Sequence, residues 1–252
     1  MPARSFRCQV VEKRWITPVV IYLRFTSAKK MNYYPGQFLS LCVPGGDARK
    51  PVRRPYTFAG APDLAIKNGY ELCIKYQKGG RGSEYVASLQ PGDVFEATAP
   101  YGDFVYETKP ERSVCFISTG TGIAPFRSMV LSRQFEENPP KQALCLYGAR
   151  SEQDILFPKD FESMGVKTVY ALSRADDAWT GFRGRVTDYL RSISSDWNWD
   201  STDFYLCGNG EMIAEVKRIL HVHNVPEKAI HKEAFFAATL ASAIKTDPKK
   251  AA

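Results

Sequence analysis

The spacing of apolar residues changes once along this 252-residue chain, and that change fixes the kind of fold it can form. Up to about Thr98 the signals are short strands and turns. Val19, Ile21, Leu23 and Phe25 fall on one face of an extended segment, the period of a half-buried strand. Tyr34-Pro35-Gly36 turns into a strand over Gln37 to Val43, which Pro44-Gly45-Gly46-Asp47 ends. Thr57-Phe58-Ala59, Tyr70 to Tyr76 and Val94 to Ala99 continue the series, with Gln90-Pro91-Gly92-Asp93 turning before the last. Short strands at this spacing build a small antiparallel β-barrel. After Pro110, strands at Val114 to Ser118, Ala143 to Tyr147, Val166 to Leu172 and Phe204 to Cys207 alternate with helical segments at 126–138, 158–164, 185–193 and 211–223. That alternation specifies an α/β unit, a parallel sheet with crossover helices. The expected division is 1–109 and 110–252, with a C-terminal extension from about 237 that ends in a polar tail.

Bulk properties narrow the classes of function. No apolar run approaches the roughly 18 residues that span a bilayer. Met1 to Trp15 carries Arg4, Arg7, Lys13 and Arg14 but no apolar signal core, so a cytoplasmic setting is expected. The cysteines at 8, 42, 73, 115, 145 and 207 are scattered through apolar runs, and no C-x-x-C occurs. They read as small core residues, without a disulfide framework, a zinc site or an iron–sulfur cluster. His221 and His223 sit two apart on a helical segment and face apart, so no metal site is expected. A formal charge of +7 and a pI near 9.0 suit an acidic partner; basic residues are dispersed, which makes nucleic acid the weaker choice.

Several stretches carry chemistry. Ser118-Thr119-Gly120-Thr121-Gly122-Ile123-Ala124-Pro125 follows a buried strand and opens a helix that tolerates Pro125 in its first turn. A glycine turn at a helix start presents free N–H groups and the positive dipole end to an anion, though a plain tight turn explains two glycines equally well. Leu206-Cys207-Gly208-Asn209-Gly210-Glu211-Met212 repeats the arrangement and places Cys207 and Gly120 at one rim of a parallel sheet. Arg54 and Tyr56 share a face of an extended segment, where a guanidinium and a flat ring can meet one phosphorylated planar ligand. An exposed arginine beside a barrel-wall tyrosine is the plainer alternative. Gly79-Gly80-Arg81-Gly82-Ser83 precedes a short helix over Glu84 to Leu89 with Ser83 as its N-cap, either a second phosphate cradle or a loop. Pro100-Tyr101-Gly102-Asp103-Phe104 reads as a closing turn. Ser173-Arg174 lies at a strand end, placed for a ribose or its 2′-phosphate, or for solvent. Glu233-Ala234-Phe235-Phe236 follows an apparent final strand.

In this order R-P-Y-T, G-G-R-G-S, P-Y-G-D-F, G-T-G-I-A-P, C-G-N-G-E-M and E-A-F-F resemble the ferredoxin-NADP⁺ reductase superfamily, from about residue 7 to 236. The resemblance implies an FAD-binding barrel followed by a Rossmann-like NAD(P)-binding domain. It assigns Arg54, Tyr56, Thr57, Lys75, Gly80, Gly82, Ser83 and Phe235 to FAD. It assigns Gly120, Thr121, Gly122, Pro125, Ser173, Arg174, Cys207, Gly208 and Met212 to NADPH or NADH, with a slight lean to NADPH. Thr57, Cys207 and Glu233 would border the reacting atoms, Glu233 tuning the reaction more than driving it. The implied activity passes a hydride between NAD(P)H and flavin, and single electrons to or from a separate acidic carrier such as ferredoxin, flavodoxin or an oxygenase component. Reduction of free flavin, quinone or a cytochrome is the alternative, and a non-catalytic subunit of the same fold a third. A monomer is expected. The chain departs from the pattern in carrying Thr57 where relatives often have serine, and in continuing past Phe235, which leaves open the residue that shields the flavin.

Overall fold

The computed structural model describes residues 2–45, 50–193 and 197–235, the side chain of Phe235 excepted. The first half contains β1 (Arg4–Thr17), β2 (Val20–Ser27), β3 (Phe38–Val43), β4 (Val52–Thr57), α1 (Pro62–Asn68), β5 (Tyr70–Lys75), α2 (Arg81–Ser88) and β6 (Val94–Tyr101). Its strands lie in the order β4-β3-β6-β1-β2-β5 with every pairing antiparallel. Beyond β4, Phe58 bridges to Leu72 and the Ala59 N–H donates to the Glu71 carbonyl, so the sheet curls until its two edges touch. Ile21, Leu23, Phe25, Leu39, Leu41, Leu72 and Phe95 fill the interior.

The alternation expected around β2 is only half of what happens there. Val19 is exposed, whereas Val20 and Tyr22, on the face opposite Ile21, Leu23 and Phe25, are buried. The second half of the chain covers that outer face: Val20 joins the core that contains Phe126, and Tyr22 meets Phe157 edge-on at 6.5 Å. The helix at the G-G-R-G-S stretch also starts earlier than expected, with Gly80 as its N-cap. Ser83 lies inside its first turn, where its hydroxyl accepts from the Gln77 N–H at 3.0 Å and braces the loop instead of capping the helix.

The second half contains β7 (Ser113–Thr119), α3 (Ile123–Val130), α4 (Arg133–Glu137), β8 (Ala143–Ala149), α5 (Pro158–Ser163), β9 (Lys167–Leu172), β10 (Phe182–Arg183), α6 (Val186–Ser192), β11 (Thr202–Asn209), α7 (Gly210–Val222) and β12 (Ile230–Phe235). Its strands run parallel in the order β10-β9-β8-β7-β11-β12. Phe116, Cys145, Tyr147 and Tyr205 face α3, α5 and the barrel, while Cys115, Ile117, Leu144, Leu146, Phe204 and Leu206 face α6 and α7. Burial on both faces is why these strands read as unbroken apolar runs. The six cysteines are unpaired, and all but Cys42 are buried.

The helix expected over 126–138 is two helices. α3 begins three residues earlier, at Ile123, and breaks at Leu131; Ser132 then caps α4 by accepting from the Phe135 N–H at 3.3 Å. In α3 the residues Ile123, Ala124, Pro125, Phe126, Ser128, Met129 and Val130 are all buried. A helix buried on every side must be sandwiched, and α3 is, between the parallel sheet and the barrel. Its one charge, Arg127, therefore needs partners from both. The guanidinium donates to Glu71 at 2.6 Å and to the Ala59 carbonyl at 2.7 Å on the barrel, to Asp160 at 2.5 Å on α5, and lies 4.5 Å from the Phe157 ring centre. Ser128 adds a buried hydrogen bond to the Gly60 carbonyl at 2.7 Å.

Glu71 and Arg127 are only 12% and 11% exposed at their side chains, so removing the cation strands an anion. Arg127→Met should lower stability by about 3–5 kcal/mol, read as a shift in the guanidinium chloride midpoint. A loss below about 1 kcal/mol would mean the pair is exposed enough to be replaced by water.

Candidate functional site

The order of the parallel sheet reverses between β7 and β11, since the chain proceeds from β7 outward to β8 and from β11 outward to β12 on the other side. Ligands of open α/β sheets settle at such a point, beyond the strand ends. There β7 runs into the 3₁₀ turn Gly120–Gly122, and β11 ends in Cys207-Gly208-Asn209. The two turns pack backbone to backbone. A Cβ on Gly122 would lie 2.4 Å from the Cys207 carbonyl oxygen, and one on Gly208, whose φ is +131°, would lie 2.6 Å from Thr119 Oγ1. The Asn209 N–H donates to the same Thr119 oxygen at 3.3 Å. Gly120, at φ +55°, has nothing within 4 Å of its Cβ position and faces open space.

The residues expected on the dinucleotide side thus divide into three kinds. Gly120 and Thr121 are accessible at the rim; Gly122 and Gly208 are glycines because the turns touch; Pro125 and Met212 are core residues, Met212 packing with Ile213 and Val216 under α7. Ser173 and Arg174 are exposed just past β9, held beside the end of β8 by N–H donation to the Ala149 and Arg150 carbonyls at 3.1 and 2.7 Å.

A polar row crosses the sheet directly beneath the rim. Tyr147, Ser118, Cys207 and Glu233 are register neighbours on β8, β7, β11 and β12, and their face is the one turned to the barrel. Ser118 Oγ is fully buried without a hydrogen-bond partner among the described residues. Cys207 is 0% exposed, and burial, reinforced by nearby Glu233, holds its thiol far above its usual range, so it stays protonated. The row ends on the barrel, where Thr57 Oγ1 donates to Glu233 Oε2 at 3.4 Å. Burial drives the Glu233 carboxyl up to about 7, against the opposing pull of the Thr57 hydrogen bond.

On the barrel side Arg54 and Tyr56 share a face, and α2 brings Gly82 against them. A Cβ at Gly82 would sit 2.5 Å from Tyr56 Oη and 2.8 Å from Arg54 Cγ. Gly80, Gly82 and Ser83 are therefore gathered with Arg54 and Tyr56 into one group. Burial pushes the Tyr56 hydroxyl up to about 12. Lys75 stands apart, exposed at the end of β5. The side chain of Phe235, all of Phe236 and the extension lie outside the described residues.

Two positions escaped the sequence reading. The Gln37 side chain accepts from the Tyr34 N–H and donates to the Gly102 carbonyl, both at 2.8 Å. Gly102, expected only to close a turn, sits beside the Glu233 carboxylate, with Oε1 3.8 Å from its Cβ position. The P-Y-G-D-F spelling carries the glycine but nothing in it points to a residue 131 positions away.

Residues 7–106 match the oxidoreductase FAD-binding domain and residues 116–218 the oxidoreductase NAD-binding domain. Ferredoxin–NADP reductase B of Sorangium cellulosum is 30% identical over 247 residues, covering 92% of this chain and 98% of that protein. The chain belongs to the ferredoxin-NADP reductase family. The reductase component of phenol 2-monooxygenase from Pseudomonas sp., 26% identical over 245 residues, covers 94% of this chain and 67% of its own length is matched. The solved structure of a ferredoxin NADP⁺ reductase from Neisseria gonorrhoeae with bound FAD and NADP superposes at a TM-score of 0.79 with 19% identity, over 94% of this chain and all of that one. Membership makes the protein an oxidoreductase that uses FAD and a nicotinamide dinucleotide and carries electrons from NAD(P)H through flavin. Among the described residues no helix is long and apolar enough to cross a membrane.

Glu233 gives the family site a pH signature. Its carboxyl is protonated to about 7 when folded and to about 4.5 when unfolded, so between these values unfolding releases a proton. Its contribution is fully present below about 4.5 and is lost as pH rises through about 7, on the order of 3 kcal/mol in all. Glu233→Gln should flatten that stretch of the stability curve in urea titrations. A second variant probes the barrel: Gly82→Ala should displace Tyr56 and weaken FAD retention in equilibrium dialysis, and unchanged retention would place the cofactor elsewhere.

Proposed function

We propose that this chain is an NADPH-oxidising FAD reductase of the ferredoxin-NADP⁺ reductase type, a monomer that hands electrons singly to a separate acidic carrier. The observation that carries the reading is the meeting of Thr57 and Glu233, 176 residues apart, on the edge strand of the parallel sheet next to the point where its order reverses. Residues 1–109 form the flavin half and 110–252 the nicotinamide half, and the seam between them is where two flat rings can be held face to face.

The chain's own residues fit both groups. The absence of a side chain at Gly82 lets α2 pack closely against Arg54 and Tyr56, and the start of α2 after Gly80 offers free N–H groups to a pyrophosphate. Arg54 neutralises the phosphate, Tyr56 lies against the ring system, and Gly80, Gly82 and Ser83 line the pyrophosphate. Gly120 and Thr121 receive the nicotinamide dinucleotide at the rim, with Ser173 and Arg174 placed for the adenosine 2′-phosphate. FAD, when bound, supplies acceptance of an electron pair from the nicotinamide and its release one electron at a time. Thr57 and Glu233 then hold a proton at the reacting edge: the hydroxyl donates to Oε2, and burial raises the carboxyl to about 7, so that near neutral pH it can take up or release a proton. Cys207 fills the row beneath as a neutral thiol and takes no proton. The rigid α3 sandwich fixes the two halves so that the site need not be assembled at each turnover.

The net charge of +7, with Arg53 exposed beside Arg54, favours an acidic carrier. Anaerobic titration of the FAD-loaded protein with NADPH and NADH in parallel should bleach the flavin at lower NADPH. Reduced protein should then pass electrons to an acidic ferredoxin at a rate that falls with salt. Transfer to free flavin or quinone that is faster and insensitive to salt would replace the carrier reading, and a protein that retains no FAD would sink catalysis altogether.

A further inference from the structure

Two polar atoms without a hydrogen-bond partner among the described residues, Tyr106 Oη and His231 Nε2, lie around the buried Asp203 carboxylate below the seam. Tyr106 and Asp203 are 3% and 2% exposed. The segment that joins the two halves straps over this spot. Tyr205 Oη accepts from the Glu107 N–H at 3.0 Å, Lys109 Nζ lies 2.8 Å from Glu107 and 3.2 Å from Asp203, and Arg112 holds the other Asp203 oxygen at 2.9 Å. The His231 ring stacks flat on Tyr205 at 4.4 Å. Buried donors and acceptors gathered without partners mark a space that takes ordered water.

His231 and Glu233 belong to the same strand, β12, two residues apart, and so share the face that looks toward the barrel. Their Cα atoms are about 6.5 Å apart along an extended strand, and a relay from one to the other places one water between the two side chains. At the other end of the cluster Glu107 is 51% exposed and meets solvent. We propose that His231 relays protons between Glu233 at the seam and the Glu107–Lys109 strap at the surface, down one face of β12. The proposal rests on the reading of Glu233 as the proton-holding group at the reacting edge.

The relay answers a need of the reaction. When NAD(P)H reduces two one-electron acceptors, the sum is NAD(P)H plus two oxidised acceptors giving NAD(P)⁺, two reduced acceptors and one proton. A C–H bond of the nicotinamide breaks, its electron pair leaves singly to the acceptors, and its proton must reach bulk water. Glu233 is covered from above once the rings occupy the seam, so an exit beneath it avoids the occupied mouth. The carboxyl O–H breaks as a proton joins the bridging water and then an imidazole nitrogen; the imidazolium gives up a proton toward Glu107. His231 is surrounded by Glu107 and Asp203, which favour its protonation, and by Lys109 and its own burial, which oppose it, with neutral Tyr106 and Tyr205 completing the wall. Burial outweighs the rest and lowers its affinity for a proton, so a proton rests on Glu233 and only passes through the ring.

The test uses the FAD-loaded protein and two readouts. In protein labelled with ¹⁵N-histidine, without turnover, the His231 titration should shift when Glu233→Gln is introduced. In stopped flow, His231→Phe, which preserves the stack on Tyr205, should leave flavin bleaching by NADPH unchanged. Its reoxidation by ferricyanide should slow and recover with added imidazole buffer, while the native rate stays independent of buffer. His231→Gln serves the same purpose should the phenylalanine variant fold poorly. An unmoved titration, or a variant that reoxidises at the native rate whatever the buffer, overturns the relay. Native protein that NADPH does not bleach would instead overturn the functional reading on which it rests.

Discussion

A single buried guanidinium determines how the two halves of this molecule sit together. Arg127 is the one charge on a helix otherwise buried on all sides, and it reaches Glu71 and the Ala59 carbonyl on the barrel while holding Asp160 in its own half. Replacing such a pair with apolar side chains of the same shape can be energetically neutral. Its value here lies in direction: apolar contacts between α3 and β2 would tolerate sliding, but a forked donor with three oxygen partners and a ring beneath it does not. Thr57 and Glu233 meet at the seam because that placement is fixed.

The rim is shaped by a second constraint, the approach of two backbones. Gly122 and Gly208 lie where the ends of β7 and β11 touch, and a Cβ at either would collide with main chain or with Thr119. That contact draws the 3₁₀ turn down onto β11 and leaves Gly120 facing outward. Glycines with different duties are thus interleaved in one short motif. Only the open one is free to admit a ligand.

Much of this was legible in the residues. The switch from period-two alternation to unbroken apolar runs separates an antiparallel barrel from a parallel sheet, because strands covered on both faces have no polar side to show. The glycine turns announced the rim. What the spelling could not carry is the consequence of one half covering the other. Val20 and Tyr22 read as the wet face of β2 and are dry, since α3 and Phe157 lie over them. The helix read as running through Leu131 breaks there, because Ser132 supplies its own cap. Met212 and Pro125 belong to motifs of the dinucleotide side yet serve as core. Gln37 and Gly102 gain meaning only from contacts across long sequence separations.

The polar row shows how burial, rather than residue type, sorts these groups chemically. Cys207 and Glu233 are register neighbours, and for both the charged form is the costly one. A thiol pushed upward leaves the physiological range and becomes inert packing. A carboxyl pushed upward from about 4.5 arrives at about 7, where it can both keep and release a proton. The Thr57 hydroxyl limits the rise by donating to the ionised form, and it comes from the opposite half of the molecule. Any loosening of the seam would therefore act on Glu233 twice: water would enter and lower its proton affinity, while loss of the Thr57 donor would raise it. Desolvation is the larger of the two influences, so a loosened seam should leave Glu233 an ordinary carboxylate, which ties the site's proton chemistry to the same clamp that sets its geometry.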